Sequence, residues 1–319
     1  MVKALALQGE MTQAFGACVF DVTLDCEDGA PVGGEKDHAL MVSALAAKGL
    51  VATDNVAVSA GRRVAVRVHP VDHPAFEQDI EIVLGDAAAA WSHLMLPKVD
   101  SAADVDRAVR VIDAALAKSN RVAALPVHVL IESPMAVHQV ASIAAHPRVE
   151  SLSFGLMDFV SAHGGAIPAA AMAMRALGSS EGHDQFSHPL VVRAKLEISA
   201  ACHAFGKVPS HCVVTEFKRP EVVQAAAQRA SRELGFTRMW SIHPDQIRPI
   251  LAAFTPAESE VAQASHIICA AQAAGWAPIS VAGTLHDRAS FRYYWQVLEK
   301  AHQTGRLDRQ DPAYQYFVG

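Results

Sequence analysis

Short β-branched runs alternate with alanine-rich stretches along most of the chain. "CVFDVTLDCED" precedes a helical pattern over 34–48, "RRVAVRVHP" precedes one around 75–89, and "SHLMLPKV" precedes "SAADVDRAVRVIDAALAKS". In the last of these, Ser101 or Asp100 can cap the helix and Asp104 falls in its first turn. "LPVHVLIES" leads into "PMAVHQVASIAA", which Pro134 opens. "ESLSFGLMD", "GKVPSHCVV" and "TRMWSIHP" complete seven strand candidates, each followed by a helical partner. Strict alternation with short loops predicts a parallel sheet, because each return needs a crossover helix.

Side-chain parity within the runs favours a closed barrel over an open sheet. In "RVAVRVH", Arg63, Ala65, Arg67 and His69 share one face and Val64, Val66 and Val68 the other. In "VFDVTLD", Asp21, Thr23 and Asp25 oppose Phe20, Val22 and Leu24; in "HVLIE", His128, Leu130 and Glu132 oppose Val129 and Ile131. One face suits a helix layer. The other carries polar groups that grow denser toward the C-terminal strand ends, as in barrels whose mouth holds the active site. No GxGxxG follows any strand, so nothing supports a dinucleotide-binding sheet. The expected fold is therefore an α/β TIM (β/α)8 barrel. Its eighth strand has one remaining candidate, the N-terminal "VKALAL", so the first strand is expected to be shortened or atypical.

The pattern changes near residue 255. "FTPAESEV" reads as Thr255 capping, Pro256 at the first helical position and Glu258 at the third, with the helix running to about 273. "APISVAGTLHD" and a last helix, "RASFRYYWQVLEKAHQ", then exceed any eight-fold repeat. We expect a catalytic barrel over 1–254 and, over 255–319, a C-terminal helical extension packed on a neighbouring subunit.

Composition narrows the class. Of 319 residues, 51% are hydrophobic, enough for one large core, and 27 basic against 33 acidic residues give a net charge of −6 with no basic block. That argues against a nucleic-acid partner. No apolar run approaches the ~20 residues a membrane span needs, and the first residues lack the apolar core of a secretory signal. Five scattered cysteines without a CxxC read as reduced thiols, hence a cytoplasmic protein. Sixteen histidines invite a zinc reading, but five precede proline and none forms a HExxH or a tight cluster, which points to turns and strand ends.

Candidate chemistry sits at the strand ends. Glu132 closes one strand and Asp158 the next, and two carboxylates on adjacent ends of a barrel suit one hard divalent cation. Mg²⁺ fits, since it takes few protein ligands, keeps waters and leaves positions for substrate oxygens. Each carboxylate alone is as well explained as a helix cap or an ion pair. Arg67, on another strand end, can hold a carboxylate or steady an enolate oxygen. Asp25, Glu27 and Asp28 form a third acidic end, whose surplus calls for basic partners such as Lys36 or Lys98.

The series "LDCEDGAP", "VAVRVHP", "LMLPKVDSAADV", "VLIESPMAV", "SLSFGLMDF", "WSIHPDQI" with "FTPAESEV", and "VAGTLHDRAS" resembles the citrate lyase β-subunit and malyl-CoA lyase family of the HpcH/HpaI aldolase superfamily. The match runs in order from about residue 19 to 300. The resemblance implies a TIM barrel assembled as a homotrimer or hexamer that uses Mg²⁺ to make or break a carbon–carbon bond beside a CoA thioester. It implies Glu132 and Asp158 as metal ligands and Arg67 against the substrate oxygens, with Pro134, Glu27, Asp28 and Lys98 around the substrate. Asp287 would act as acid/base from a neighbouring subunit; its plain reading is an N-cap for the last helix. The implied reaction splits a 3-hydroxyacyl-CoA such as malyl-CoA or citramalyl-CoA into an oxo acid and an acyl-CoA.

Two stretches depart from that pattern. Relatives begin with a strand and a Pro-Gly loop that helps hold CoA, and "MVKALALQGEMTQAFGACVFD" has no such loop. "VVTEFKRPEVV" keeps an acid at Glu216 but sets Arg219 where relatives carry Asp, so Lys218 and Arg219 read either as a phosphate or carboxylate contact or as a solvated helix start. The polar loop 177–189 has the composition of a lid. Two alternatives follow: a Mg²⁺-dependent aldolase releasing pyruvate from a non-CoA hydroxy-oxo acid, and a catalytically silent assembly subunit.

Overall fold

A computed structural model describes residues 1–51, 62–85, 87–119, 123–174 and 182–318. All seven predicted strands form, as β1 (Val22–Asp25), β2 (Val64–Arg67), β3 (His93–Leu96), β4 (Val127–Ile131), β5 (Val149–Phe154), β6 (Val208–His211) and β7 (Arg238–Met239). They make one parallel sheet in sequential order, β1 to β7. The sheet curls: Arg63 on the approach to β2 meets Glu150 on β5 at 2.7 Å, and Arg238 on β7 meets Asp21, just before β1, at 3.4 Å. Among the described residues β1 and β7 do not pair, so the sheet is left open between them. The observed fold is an α/β half-barrel rather than the full eight-stranded barrel expected.

The N-terminus explains the difference. "VKALAL" is not a strand but the start of helix α1 (Val2–Phe15), which ends at Gly16 in the left-handed conformation at φ 72°. Alanine and leucine are good helix formers and Val2 is the one β-branched residue in those six, so a short alternation was a weak strand signal. α1 lies across the gap. Fully buried Gln8 donates its side-chain amide to the carbonyls of Phe20 (2.9 Å) and Arg63 (2.8 Å), which ties α1 to the starts of β1 and β2. Between α1 and the sheet lies a cavity of about 1100 Å³, lined among others by Thr23, Met95, His128, Ser153 and Ser210. Those residues come from five different strands and share the inward face that parity predicted.

The outward face is apolar apart from buried His211 on β6, which packs between Phe186 and Phe236. Val22, Leu24, Val66, Val129, Ile131 and Leu152 pack into one large core with the crossover helices α2 (Glu35–Val51), α3 (Phe76–Val83), α4 (Ala102–Leu116), α5 (Pro134–His138), α6 (Val140–Ala145), α7 (Leu156–Ser161), α8 (Pro189–Ala204), α9 (Pro220–Leu234) and α10 (Ile247–Phe254). α4 starts as predicted, with Ser101 and Asp104 in a reciprocal capping box. A second, separate core belongs to the C-terminal unit of α11 (Glu258–Ala273), the hairpin of β8 (Ile279–Val281) and β9 (Thr284–His286), and α12 (Arg288–Gln303). The start of α11 is two residues later than predicted. Thr255 instead closes α10 through the Leu251 carbonyl, and Glu260 reaches back to the Ala257 N–H at 2.7 Å. All five cysteines are unpaired. Among the described residues no helix is long and apolar enough to cross a membrane.

Candidate active site

The C-terminal ends of β1 to β5 gather the predicted polar residues. Register sets Asp25 on β1 opposite Arg67 on β2. Arg67 donates Nε and Nη2 to the two Asp25 oxygens at 2.8 and 2.7 Å, a bidentate fork, and also meets Asp28 at 2.9 Å and Glu27 at 2.8 Å. Four of its five N–H groups are thus engaged. Burial works against its charge, but Asp25, then Glu27 and Asp28, overturn that and hold the guanidinium above the ordinary arginine range. Trp240, just past β7, places its ring 5.6 Å from the same guanidinium.

Glu132 is the most constrained group of the mouth. It follows β4 directly and is 6% exposed. Its Oε1 accepts the Lys98 backbone N–H at 2.5 Å, and Lys98 offers that N–H from a left-handed conformation at φ 51°, rare for a side-chain-bearing residue. Lys98 Nζ in turn lies 3.0 Å from Glu27. On the other side, Gly155 continues the ladder from Ile131, and a Cβ built on it would stand 2.5 Å from both the Cβ and Oε2 of Glu132. Glycine is required there for space; its φ of −89° is open to any residue. Burial pushes the Glu132 carboxyl up to about 7, the Lys98 N–H opposes this, and the Asp158 and Glu27 charges add to it. Glu27 is raised by burial too, with Arg67 and Lys98 pulling the other way.

Asp158 stands exposed in the first turn of α7, close enough for its charge to act on both Glu132 and Lys98. The structure therefore brings together Glu132, Asp158, Arg67, Glu27, Asp28 and Lys98. Pro134 occupies the first position of α5, exposed, while Ser133 caps that helix and also hydrogen-bonds Asp100. Asp287 is elsewhere. It belongs to the C-terminal unit, where its carboxylate accepts the N–H groups of Ala289 and Ser290 at the start of α12, and among the described residues none of its contacts reaches the mouth. Lys218 lies 5.7 Å over the Phe217 ring and Arg219 pairs with Glu221, both exposed on the approach to α9. Residues 177–181 of the expected lid lie outside the described residues.

Sequence reasoning missed two members of the mouth. Gly155 could have been found from "SFGLMDF", a glycine between a strand and its helix beside a strand-end acid. Trp240 opens "WSIHP" with the inward parity of Arg238.

The mouth has the donor chemistry for a hard divalent cation. Five carboxylates, Asp25, Glu27, Asp28, Glu132 and Asp158, face two cations, Arg67 and Lys98; among the described residues exposed Asp158 and buried Glu132 are the two without a cationic side chain bonded to them. Among the described residues no three acidic, histidine or cysteine side chains converge as a complete ligand set. A pair of carboxylate ligands fits Mg²⁺, which retains waters, better than a metal that needs a closed protein cage. His93 and His128 are buried on the inward face, where desolvation lowers both, His93 to about 4, and favours the neutral imidazole.

The fold and mouth define an α/β half-barrel enzyme whose polar chemistry is carried on the C-terminal strand ends. Comparison with known proteins specifies the family. The model of HpcH/HpaI aldolase/citrate lyase matches residues 6–244. The L-malyl-CoA/beta-methylmalyl-CoA lyase of Rhodobacter capsulatus is 31% identical over 252 residues, covering 75% of this chain and 76% of that protein. The crystal structure of a citrate lyase from Burkholderia xenovorans LB400 is 48% identical with a TM-score of 0.81, covering 99% of this chain and 92% of that one. CitE from Mycobacterium tuberculosis, solved with magnesium, acetoacetate and coenzyme A, shares the fold at 22% identity and a TM-score of 0.64, covering 93% of this chain and 95% of that one. The chain belongs to the HpcH/HpaI aldolase/citrate lyase family, a family of lyases.

Proposed function

We propose that this protein is a Mg²⁺-dependent lyase that cleaves, or in reverse forms, a 3-hydroxyacyl-CoA thioester of the malyl-CoA or citramalyl-CoA kind, giving an oxo acid and an acyl-CoA. The observation that carries the reading is Glu132, a buried carboxylate held by one backbone N–H and pressed against Gly155, with its nearest charged neighbours mostly acidic. Such a group is costly unless a cation completes it. The Rhodobacter lyase and the magnesium- and CoA-bound CitE support the choice of ion and substrate class.

In this reading Glu132 and Asp158 would hold Mg²⁺. Bound there, the ion supplies Lewis acidity to the hydroxyl and carboxylate oxygens of the substrate. Arg67, fixed by Asp25 and Glu27, turns its remaining N–H and the one now spent on exposed Asp28 toward the thioester oxygen as negative charge builds there. Transfer of the hydroxyl proton to the Asp287 carboxylate breaks the carbon–carbon bond and leaves an oxo acid and the enolate of the thioester. Asp287, from the C-terminal unit of a neighbouring subunit in a trimer or hexamer, protonates the enolate carbon. The barrel-like unit ends at about 254 and the extension over 255–319 makes the subunit contact. Lys98 serves first as the group that orients Glu132, and Pro134 shapes the rim.

The test is release of glyoxylate from malyl-CoA or pyruvate from citramalyl-CoA, with Mg²⁺ and with chelator. Product that depends on Mg²⁺ supports the reading. Turnover of neither thioester, or turnover indifferent to chelation, sinks it.

A further inference from the structure

The C-terminal unit carries a second cluster of charged and aromatic groups. Arg288 and Arg292 lie four residues apart on α12, so their side chains leave the same face about one turn apart. Both are exposed, and among the described residues neither has an ion pair or a hydrogen bond through its guanidinium. Asp287, the nearest acid in sequence, has its carboxylate turned to the helix N–H groups instead. Phe291, between the two arginines, and Trp295 form the floor of a cleft of about 330 Å³, and Trp276 forms its wall.

Trp276 is held there at a cost. It takes φ 64°, a left-handed conformation that is an outlier for a bulky side chain, directly after Gly275 at φ 62°. Its N–H is tied to the Ala271 carbonyl at 2.8 Å, and its ring meets Phe291 edge-on at 6.2 Å. The outcome is an indole 42% exposed beside two unpaired guanidinium groups. Strained backbone of this kind persists where surrounding structure fixes it, and it clusters at ligand clamps.

We propose that this cleft binds a phosphorylated nucleotide. A single carboxylate would satisfy one guanidinium fork and leave the other idle. A phosphate or diphosphate has the charge and the acceptor oxygens to bridge both arginines. The indole adds a planar apolar face that inorganic phosphate cannot use and a purine base can. The nucleotide can be free or can be the nucleotide end of coenzyme A; for the second source alone, the inference rests on the lyase reading and deepens it.

Calorimetric titration of the full chain with ADP, inorganic diphosphate and CoA tests the assignment. ADP should bind, R288A/R292A should weaken it at least tenfold, and W276G should weaken ADP about fivefold while leaving diphosphate unchanged. The W276G change also removes the backbone strain, so a folding defect is not expected, and the two arginines are exposed. CoA that displaces ADP assigns the cleft to the thioester carrier, and CoA that leaves ADP bound assigns it to a free nucleotide. Absence of ADP binding at millimolar concentration, or equal binding by wild type and R288A/R292A, overturns the proposal. E132Q should bind ADP like wild type, so failure of the lyase reading and failure of this cleft are read separately.

Discussion

Replacing Glu132 by Gln should make the metal-free protein more stable at alkaline pH while removing its response to Mg²⁺. Gln keeps nearly the same volume and a carbonyl oxygen for the Lys98 N–H, so the change removes a charge and little else. The folded-state carboxyl is raised from the ordinary 4.5 to about 7 by burial first, then by Asp158 and Glu27. A raised acid stabilises the fold below its unfolded value, and that contribution is lost as pH rises through about 7. At about 1.4 kcal/mol per unit, the charge costs the fold about 3 kcal/mol once it is ionised. With an unfolding entropy of about 0.5 kcal/mol/K for a unit of roughly 250 residues, E132Q should melt roughly 5 °C above wild type at pH 8 in chelator. The difference should close below about pH 5, where the wild-type side chain is protonated in the fold. Added Mg²⁺ should raise the wild-type melting temperature by mass action and leave E132Q unmoved. Scanning fluorimetry from pH 4.5 to 8.5, with chelator and with Mg²⁺, measures all three. An E132Q protein that melts at or below wild type at pH 8, or a difference that ignores pH, would refute the idea of a stranded charge awaiting a cation.

G155A should shift Glu132, since the new Cβ would stand 2.5 Å from it; melting temperature should fall by several degrees and calorimetric Mg²⁺ affinity at least tenfold. Unchanged affinity would mean that Glu132 is not a ligand. Q8A should remove the two side-chain hydrogen bonds that tie α1 to the carbonyls of Phe20 and Arg63, which keep the Cys18 thiol and the Val22 N–H as donors, and cost about 2 kcal/mol in urea unfolding, whereas a near-neutral effect would show that water replaces the amide. D287N should keep Mg²⁺ and substrate binding, because its carbonyl oxygen can still cap α12, while kcat falls at least a hundredfold; full activity would return Asp287 to capping alone.

Period-two alternation made the sheet legible. In a parallel sheet covered by helices the outward face is forced to be apolar, so Val64, Val66 and Val68, or Val129 and Ile131, announce both the strand and the face it buries. The opposite face is free to carry function, and parity alone is enough to mark its polar residues as a site. Glu132 and Arg67 stand out in that way; Asp158, expected to close a strand, lies instead in the first turn of α7, four residues past the end of β5, where strand parity does not reach. Closure was not legible, because it depends on pairing two strands distant in sequence, and "VKALAL" holds no local information about a partner. Its helix formers decide for α1, and Gln8 then ties that helix to the carbonyls of Phe20 and Arg63 by a side-chain route that no periodicity encodes. Gly155 was invisible for a related reason: its role is to lack atoms next to a residue that neighbours it across strands and not along the chain.

The degree to which Arg67 is occupied has a mechanistic consequence that sequence alone conceals. A guanidinium with four donors already engaged is not a free anion receptor. To meet a developing oxyanion it must give up a partner, and the partner least costly to release is Asp28, whose side chain is 75% exposed and solvated when freed, unlike Glu27 at 8%. The bidentate bond to Asp25 is the one that fixes the plane of the fork. D28N should therefore alter KM with little change in kcat, because it removes competition for one N–H. D25N should lower kcat, because it loosens the orientation on which charge stabilisation depends. The acidic excess around Arg67 thus divides by exposure into a releasable contact and a fixed one. The same division separates exposed Asp158 from buried Glu132, which places the exchangeable side of the mouth toward solvent.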